Sequence, residues 1–159
     1  MSPPTRWLDA EEQLAWRAFY TATTQLIDRL DRELQRDAGM PHAYYVILVA
    51  LSERPDRAMR MSEIADVLLY SRSRLTHAVA RLEERGWVTR VADPTDRRGA
   101  SAVLTDAGLA ALTAAAPGHV AGVRRHLFDR LTPAQVEQLR AISEAIAGPL
   151  IHGGTVHSG

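Results

Sequence analysis

Residues 71–104 read SRSRLTHAVARLEERGWVTRVADPTDRRGASAVL, a helix followed at once by a hairpin. At 100° per residue, Leu75, Ala78, Val79 and Leu82 fall within one narrow arc from Arg72 to Arg85. Ser73, His77, Ala80 and Glu84 face the other way, with Thr76 and Arg81 beside them. Ser71 suits the N-cap, because its hydroxyl can accept from a first-turn amide, and Gly86 suits the left-handed position after the last turn. Trp87–Val91 and Ala100–Leu104 read as two strands. The link between them carries Asp93-Pro94 and Gly99, which is turn chemistry, and a basic tip, Asp96-Arg97-Arg98.

Immediately upstream, Ser62 to Leu69 is a short helical pattern with Ile64, Ala65 and Leu68 inward, Ser62 as its cap and Glu63 in the positively polarised first turn. Two helices across a tight turn, then a hairpin, form a winged helix-turn-helix. Tyr44 to Leu51 is apolar at every position; Pro41 before it and Arg54-Pro55 after it favour a buried helix over a strand. From Glu12 to Asp37, Trp16, Phe19, Tyr20, Thr23, Leu26, Ile27, Leu30 and Leu34 make one amphipathic stripe, ended by Gly39 and Pro41. Beyond the hairpin, Thr105 can cap a helix running toward Phe128, with a kink or a break expected at Pro117. Thr132 and Gln135 form a capping box, and Pro133 suits the first position of a last helix ending near Gly148-Pro149. Residues 149–159 are expected to be a disordered tail. The fold class is mainly α, with one small β-hairpin wing.

The 159 residues, 46% hydrophobic, suffice for one core and not for two full-sized domains. With no cysteine, disulfide scaffolds, thiolate zinc sites and cysteine nucleophiles are excluded. No segment is apolar for the roughly 20 residues a bilayer requires, and the opening MSPPTRWLDAEEQ lacks a signal-peptide core, so a cytoplasmic, membrane-free protein is expected. No phosphate loop, G-x-S-x-G elbow or HExxH is present, so neither catalytic residues nor a cofactor is expected. His119 and His126 share a helical face, yet nothing beside them completes a metal site, and they read as structural.

Nineteen basic residues, all Arg, balance 19 acids, so any affinity for an anionic partner must be local. Residues 71–98 hold 7 Arg against 4 acids, while residues 1–70 hold 8 against 11. An excess of three is ordinary for a solvated surface. It gains meaning from the fold, since a helix projecting polar side chains fits a major groove and a neighbouring hairpin reaches the adjacent minor groove.

Four segments at their present separations resemble the MarR family of bacterial transcription regulators: residues 61–68 (MSEIADVL), Ser71 to Thr76, Leu82 to Val88, and Asp93 to Arg98 leading into Leu104-Thr105. The resemblance spans Trp16 to about Ile146. It implies a homodimer whose helices 12–37 and 106–148 interlock, and a DNA-binding lobe over 42–104. Double-stranded DNA is the implied partner, with Ser71, Arg72, Ser73, Arg74, Thr76, His77 and Arg81 on the recognition helix. In the wing, Asp96 is expected to brace an Arg, Arg98 to enter the minor groove, and Arg97 to lie beside it. The family also commonly takes a small aromatic or anionic effector between the dimer helices and the lobe. Trp16, Tyr20, Tyr44 and Tyr45 suit that role or simple core packing.

Two residues depart from the family pattern. Leu69 stands where Gly is frequent at the turn, and His77 stands where Arg is common. The expected function is a sequence-specific regulator, a repressor on an inverted repeat. The alternatives are a winged-helix module that binds protein, since a fold does not dictate its use, and, with less support, an enzyme.

Overall fold

The computed structural model describes residues 4–92 and 99–152. Helix α1 (Ala10–Ala38) starts with a reciprocal capping box: the Asp9 carboxylate accepts from the Glu12 amide at 2.8 Å, and Glu12 accepts from the Asp9 amide at 2.9 Å. It ends at Gly39, whose φ of 60° closes the last turn without a Cβ clash. Helix α2 (His42–Ser52) follows, then strand β1 (Ala58–Arg60), helix α3 (Met61–Leu68) and helix α4 (Arg72–Glu84). Strands β2 (Val88–Ala92) and β3 (Ala100–Leu104) form the hairpin, and α5 (Asp106–His126), a 3-10 turn (Phe128–Arg130) and α6 (Pro133–His152) complete the order.

The antiparallel sheet is ordered β1-β3-β2, with Met59 opposite Ala102 and Val88 opposite Leu104. Its inner face meets the buried sides of α2, α3 and α4. Ile47, Leu48, Leu51, Ile64, Leu75, Val79, Leu82 and Val88 are almost wholly enclosed. Leu34 of α1 and Leu112 and Ala115 of α5 close the same core. Two compact units result, Met1–Val120 and Ala121–Gly159.

Several expectations change. Strand β1 was not foreseen: three residues are too few to show alternation, and their pairing with β3 lies more than 40 positions away. Because β1 occupies Ala58–Arg60, α3 starts at Met61 and Arg60 is its N-cap, so Ser62 does not cap it and sits inside the first turn. Helix α5 is continuous through Pro117 and stops at His126. Helix α6 continues past Pro149 to His152. The capping box at the start of α6 forms as expected, with Gln135 Oε1 accepting from the Thr132 amide at 2.9 Å. The α1 stripe divides: Leu30 and Leu34 are buried, whereas Trp16, Phe19, Tyr20 and Ile27 are exposed. Among the described residues no helix is long and apolar enough to cross a membrane.

Candidate nucleic-acid interface

Helix α4 carries the polar face. Ser71 caps it, its hydroxyl oxygen accepting from the Arg74 amide at 3.2 Å, and Leu75, Ala78, Val79 and Leu82 anchor its other side in the core. Anchoring on that side leaves Arg72, Ser73, Arg74, Thr76, His77 and Arg81 exposed. They divide between two edges. Arg72 and Thr76 border a groove toward β1 and the base of the hairpin. Arg74, His77 and Arg81 border a second hollow beside Tyr44 of α2.

Local bonds decide how free each group is. The Thr76 hydroxyl donates to the Arg72 carbonyl at 2.8 Å, so its proton is committed and its oxygen keeps the capacity to accept. The Arg74 guanidinium lies over the Tyr70 ring, 4.0 Å from its centre, and has no carboxylate partner among the described residues. Arg81 donates to Glu84 at 2.7 Å, and that bond raises its already high pKa. Arg72, Ser73 and His77 have no side-chain partner among the described residues.

The other arginines of this block hold the frame. Arg85 donates to the Gly39 carbonyl at 2.8 Å and lies near the Trp87 and Tyr44 rings, tying the end of α4 to the end of α1. Glu83 accepts from both the Arg90 amide (3.0 Å) and its side chain (2.7 Å), fixing β2 to α4. Thr105 closes the hairpin base: its hydroxyl donates to the Gly86 carbonyl at 2.7 Å and accepts from the Gly108 amide at 3.0 Å. The hairpin ladder ends at the pair Ala92 and Ala100. Asp96, Arg97 and Arg98 lie outside the described residues.

Charge counting over residues 71–98 does not separate Arg85 and Arg90, which are tied to other elements, from Arg81, whose pair with Glu84 is exposed on the same helix. It also missed Arg60 and Ser62, exposed on the wing side of the same face. Only the pairing of β1 brings them there, and the sequence gives no local sign of it.

Behind α4, a hollow of about 570 Å³ is bordered by Thr23, Ile27, His42, Tyr70 and Arg74. Of the aromatic groups weighed for an effector, Tyr45 is buried, Tyr44 is half-buried, and Trp16 and Tyr20 are exposed with ring centres 5.8 Å apart. His42 and His119 also meet, ring centres 5.6 Å apart, with Tyr45 4.4 Å from His119. Burial holds both histidines below their ordinary pKa; Asp31 partly offsets this at His42, and the charge of His42 adds to it at His119.

A family model described as MarR family matches residues 38–99. The uncharacterized HTH-type transcriptional regulator YpoP of Bacillus subtilis is 30% identical over 108 residues, covering 68% of this chain and 71% of its own. Among solved structures, Sco3205, a MarR family transcriptional regulator from Streptomyces coelicolor in complex with DNA, is 55% identical with a TM-score of 0.87, over 92% of this chain and 91% of that one. AbsC, a MarR family regulator of the same organism, is 42% identical with a TM-score of 0.85, over 92% and 98%. All three are described as transcriptional regulators. With the same helix-turn-helix and hairpin at this level of identity, the chain belongs to the MarR family of winged helix-turn-helix transcriptional regulators.

Proposed function

We propose that the chain works as a homodimer that binds an inverted-repeat operator in double-stranded DNA and represses transcription by occupying it. The observation that carries this reading is the outward face of α4, where Arg72, Ser73, Thr76 and His77 stand exposed on a helix anchored by four buried apolar residues. Such a face suits the major groove, with Arg72 and Arg74 setting the register on phosphates and Ser73, Thr76 and His77 testing base edges. The tip residues Asp96, Arg97 and Arg98 extend the reading to the minor groove, where an Arg responds to groove width. Dimerisation is assigned to α1 and to the helices after the hairpin. Trp16, Phe19, Tyr20 and Ile27 leave a large apolar stripe in water unless a second copy covers it.

The hollow behind α4 is the proposed seat of a small aromatic or anionic effector. Tyr70 offers a ring and Arg74 a cation, and a ligand that takes Arg74 removes a phosphate contact from the DNA face. Selection of bound sites from a random duplex library tests the function. The expected consensus is a palindrome whose half-site centres lie about 10 bp apart; enrichment of no sequence, or of a site without two-fold symmetry, overturns it.

A further inference from the structure

Two imidazoles and a phenol meet where α1, α2 and α5 converge. His42 opens α2, and its ring centre lies 5.6 Å from that of His119 on α5 and 6.5 Å from that of Tyr45, which in turn packs 4.4 Å from His119. The Nδ1 atom of His119 is buried without a hydrogen-bond partner. Charged groups reach the cluster from two further directions. From α1, the Asp31 carboxylate accepts from the His42 amide at 2.7 Å, and Glu33 and Asp37 line a cavity of about 60 Å³ that His119 also borders. Glu33 accepts from Arg29 at 2.9 Å and Asp37 from Arg36 at 2.7 Å. From α4, Arg74 shares a hollow with His42, Asp28 and Tyr70.

Neutral, the three rings pack as aromatic groups. A proton changes the chemistry, because both nitrogens of an imidazolium are donors. The buried Nδ1 of His119 then becomes an N–H that the packed arrangement leaves without an acceptor, and a second proton sets two like charges side by side. The cavity next to His119 offers the carboxylates of Glu33 and Asp37, and a ring that turns toward them gives up its packing on His42 and Tyr45. We propose that this cluster is a proton-operated latch: neutral His42 and His119 hold α2 against α5, and protonation releases that contact and weakens operator binding. The inference rests on the regulator reading above and adds a control to it. Helices α1 and α5 belong to the elements assigned to the dimer, whereas α2 packs against α4 and shares the hollow of Arg74. The contact therefore ties the reading helix to the frame that spaces the two halves. A released latch lets that spacing vary, while a two-fold operator fits one spacing.

The test compares the full-length protein with His119→Phe, which keeps a ring against Tyr45 and has nothing to protonate. Affinity for the selected operator is measured at constant ionic strength at about pH 7.5 and 5.5, with circular dichroism showing both proteins folded at each. Wild-type affinity is expected to fall about fivefold or more in acid, the size of a modest coupling between sites, and that of the variant by clearly less. Every other histidine, His77 of the DNA face included, is common to the two proteins, so the difference between them reports the latch. Nuclear magnetic resonance of the ring protons without DNA supplies a second measurement. His42→Asn is expected to raise the titration midpoint of His119, because a neighbouring positive charge is gone. Equal acid losses in wild type and His119→Phe overturn the latch while leaving DNA binding intact. So does a wild-type affinity that holds or rises in acid, or a His119 midpoint indifferent to His42→Asn. Wild type that binds no duplex at either pH removes the regulator reading itself, and the latch falls with it even where resonance shows the two rings coupled.

Discussion

Leu69 ends α3 with φ 54° and ψ 39°, the left-handed conformation in which a Cβ crowds its own backbone. Its side chain is 74% exposed, so little packing offsets the strain. Leu69→Gly is expected to raise unfolding stability by about 1 kcal/mol, read as a higher urea midpoint at unchanged slope; an unchanged or lower midpoint contradicts the strain. The sequence singles this position out only through the family resemblance, as a Leu where Gly is frequent; the helical pattern itself runs through Leu69, and the left-handed turn is a finding of the structure. The histidine pair has no sequence signal, since His42 and His119 meet only through the packing of α2 and α5. Both have folded pKa values below the ordinary histidine value of about 6.5, so the unfolded chain binds protons more readily. Their contribution is present above pH 6.5 or so and is lost as pH falls through the depressed folded values. The urea midpoint is accordingly expected to drop between about pH 7.5 and 5.5, and to drop less in a His42→Asn, His119→Asn double variant. Equal drops in the two proteins would remove the pair from the acid response.

At the scale of elements, α1, α2, α4, β3 and the start of α6 follow directly from periodicity, capping and the brackets set by Pro and Gly. The misses share a cause. Strand β1 and the true start of α3 depend on a partner strand far along the chain, which no local pattern reports. Pro117 and Pro149 lie inside helices: an interior Pro costs about 3 kcal/mol, which neighbouring turns and tertiary contacts can outweigh. Gly108, in the first turn of α5, marks another long-range constraint. A Cβ there would fall on the Trp87 carbonyl oxygen, which itself accepts from the Thr105 amide at 3.1 Å. Gly108→Ala is expected to destabilise the fold by about 2 kcal/mol or more, as overpacking against backbone does, measured by thermal or urea unfolding. A neutral effect would mean that the hairpin and α5 are not held this closely.

For the whole molecule, the amphipathic stripe of α1 was visible in the sequence, but its division between core and surface was not. Periodicity shows that a face is apolar and is silent on what covers it. Phe19→Asp places a charge in the exposed part of that stripe, outside the buried core of its own subunit. Sedimentation is expected to show a folded monomer in place of a dimer, whereas a dimer of undiminished stability would assign the interface elsewhere. Electrostatics behaves similarly. The chain is neutral in total, and the basic block of residues 71–98 includes two arginines, Arg85 and Arg90, that hold the frame. The salt dependence of binding to the selected operator tests most directly whether the cations around α4 are what hold DNA. With six or more phosphates neutralised by the dimer, affinity is expected to fall by about 10³ or more between roughly 50 and 200 mM salt; affinity that stays flat across that range would contradict it.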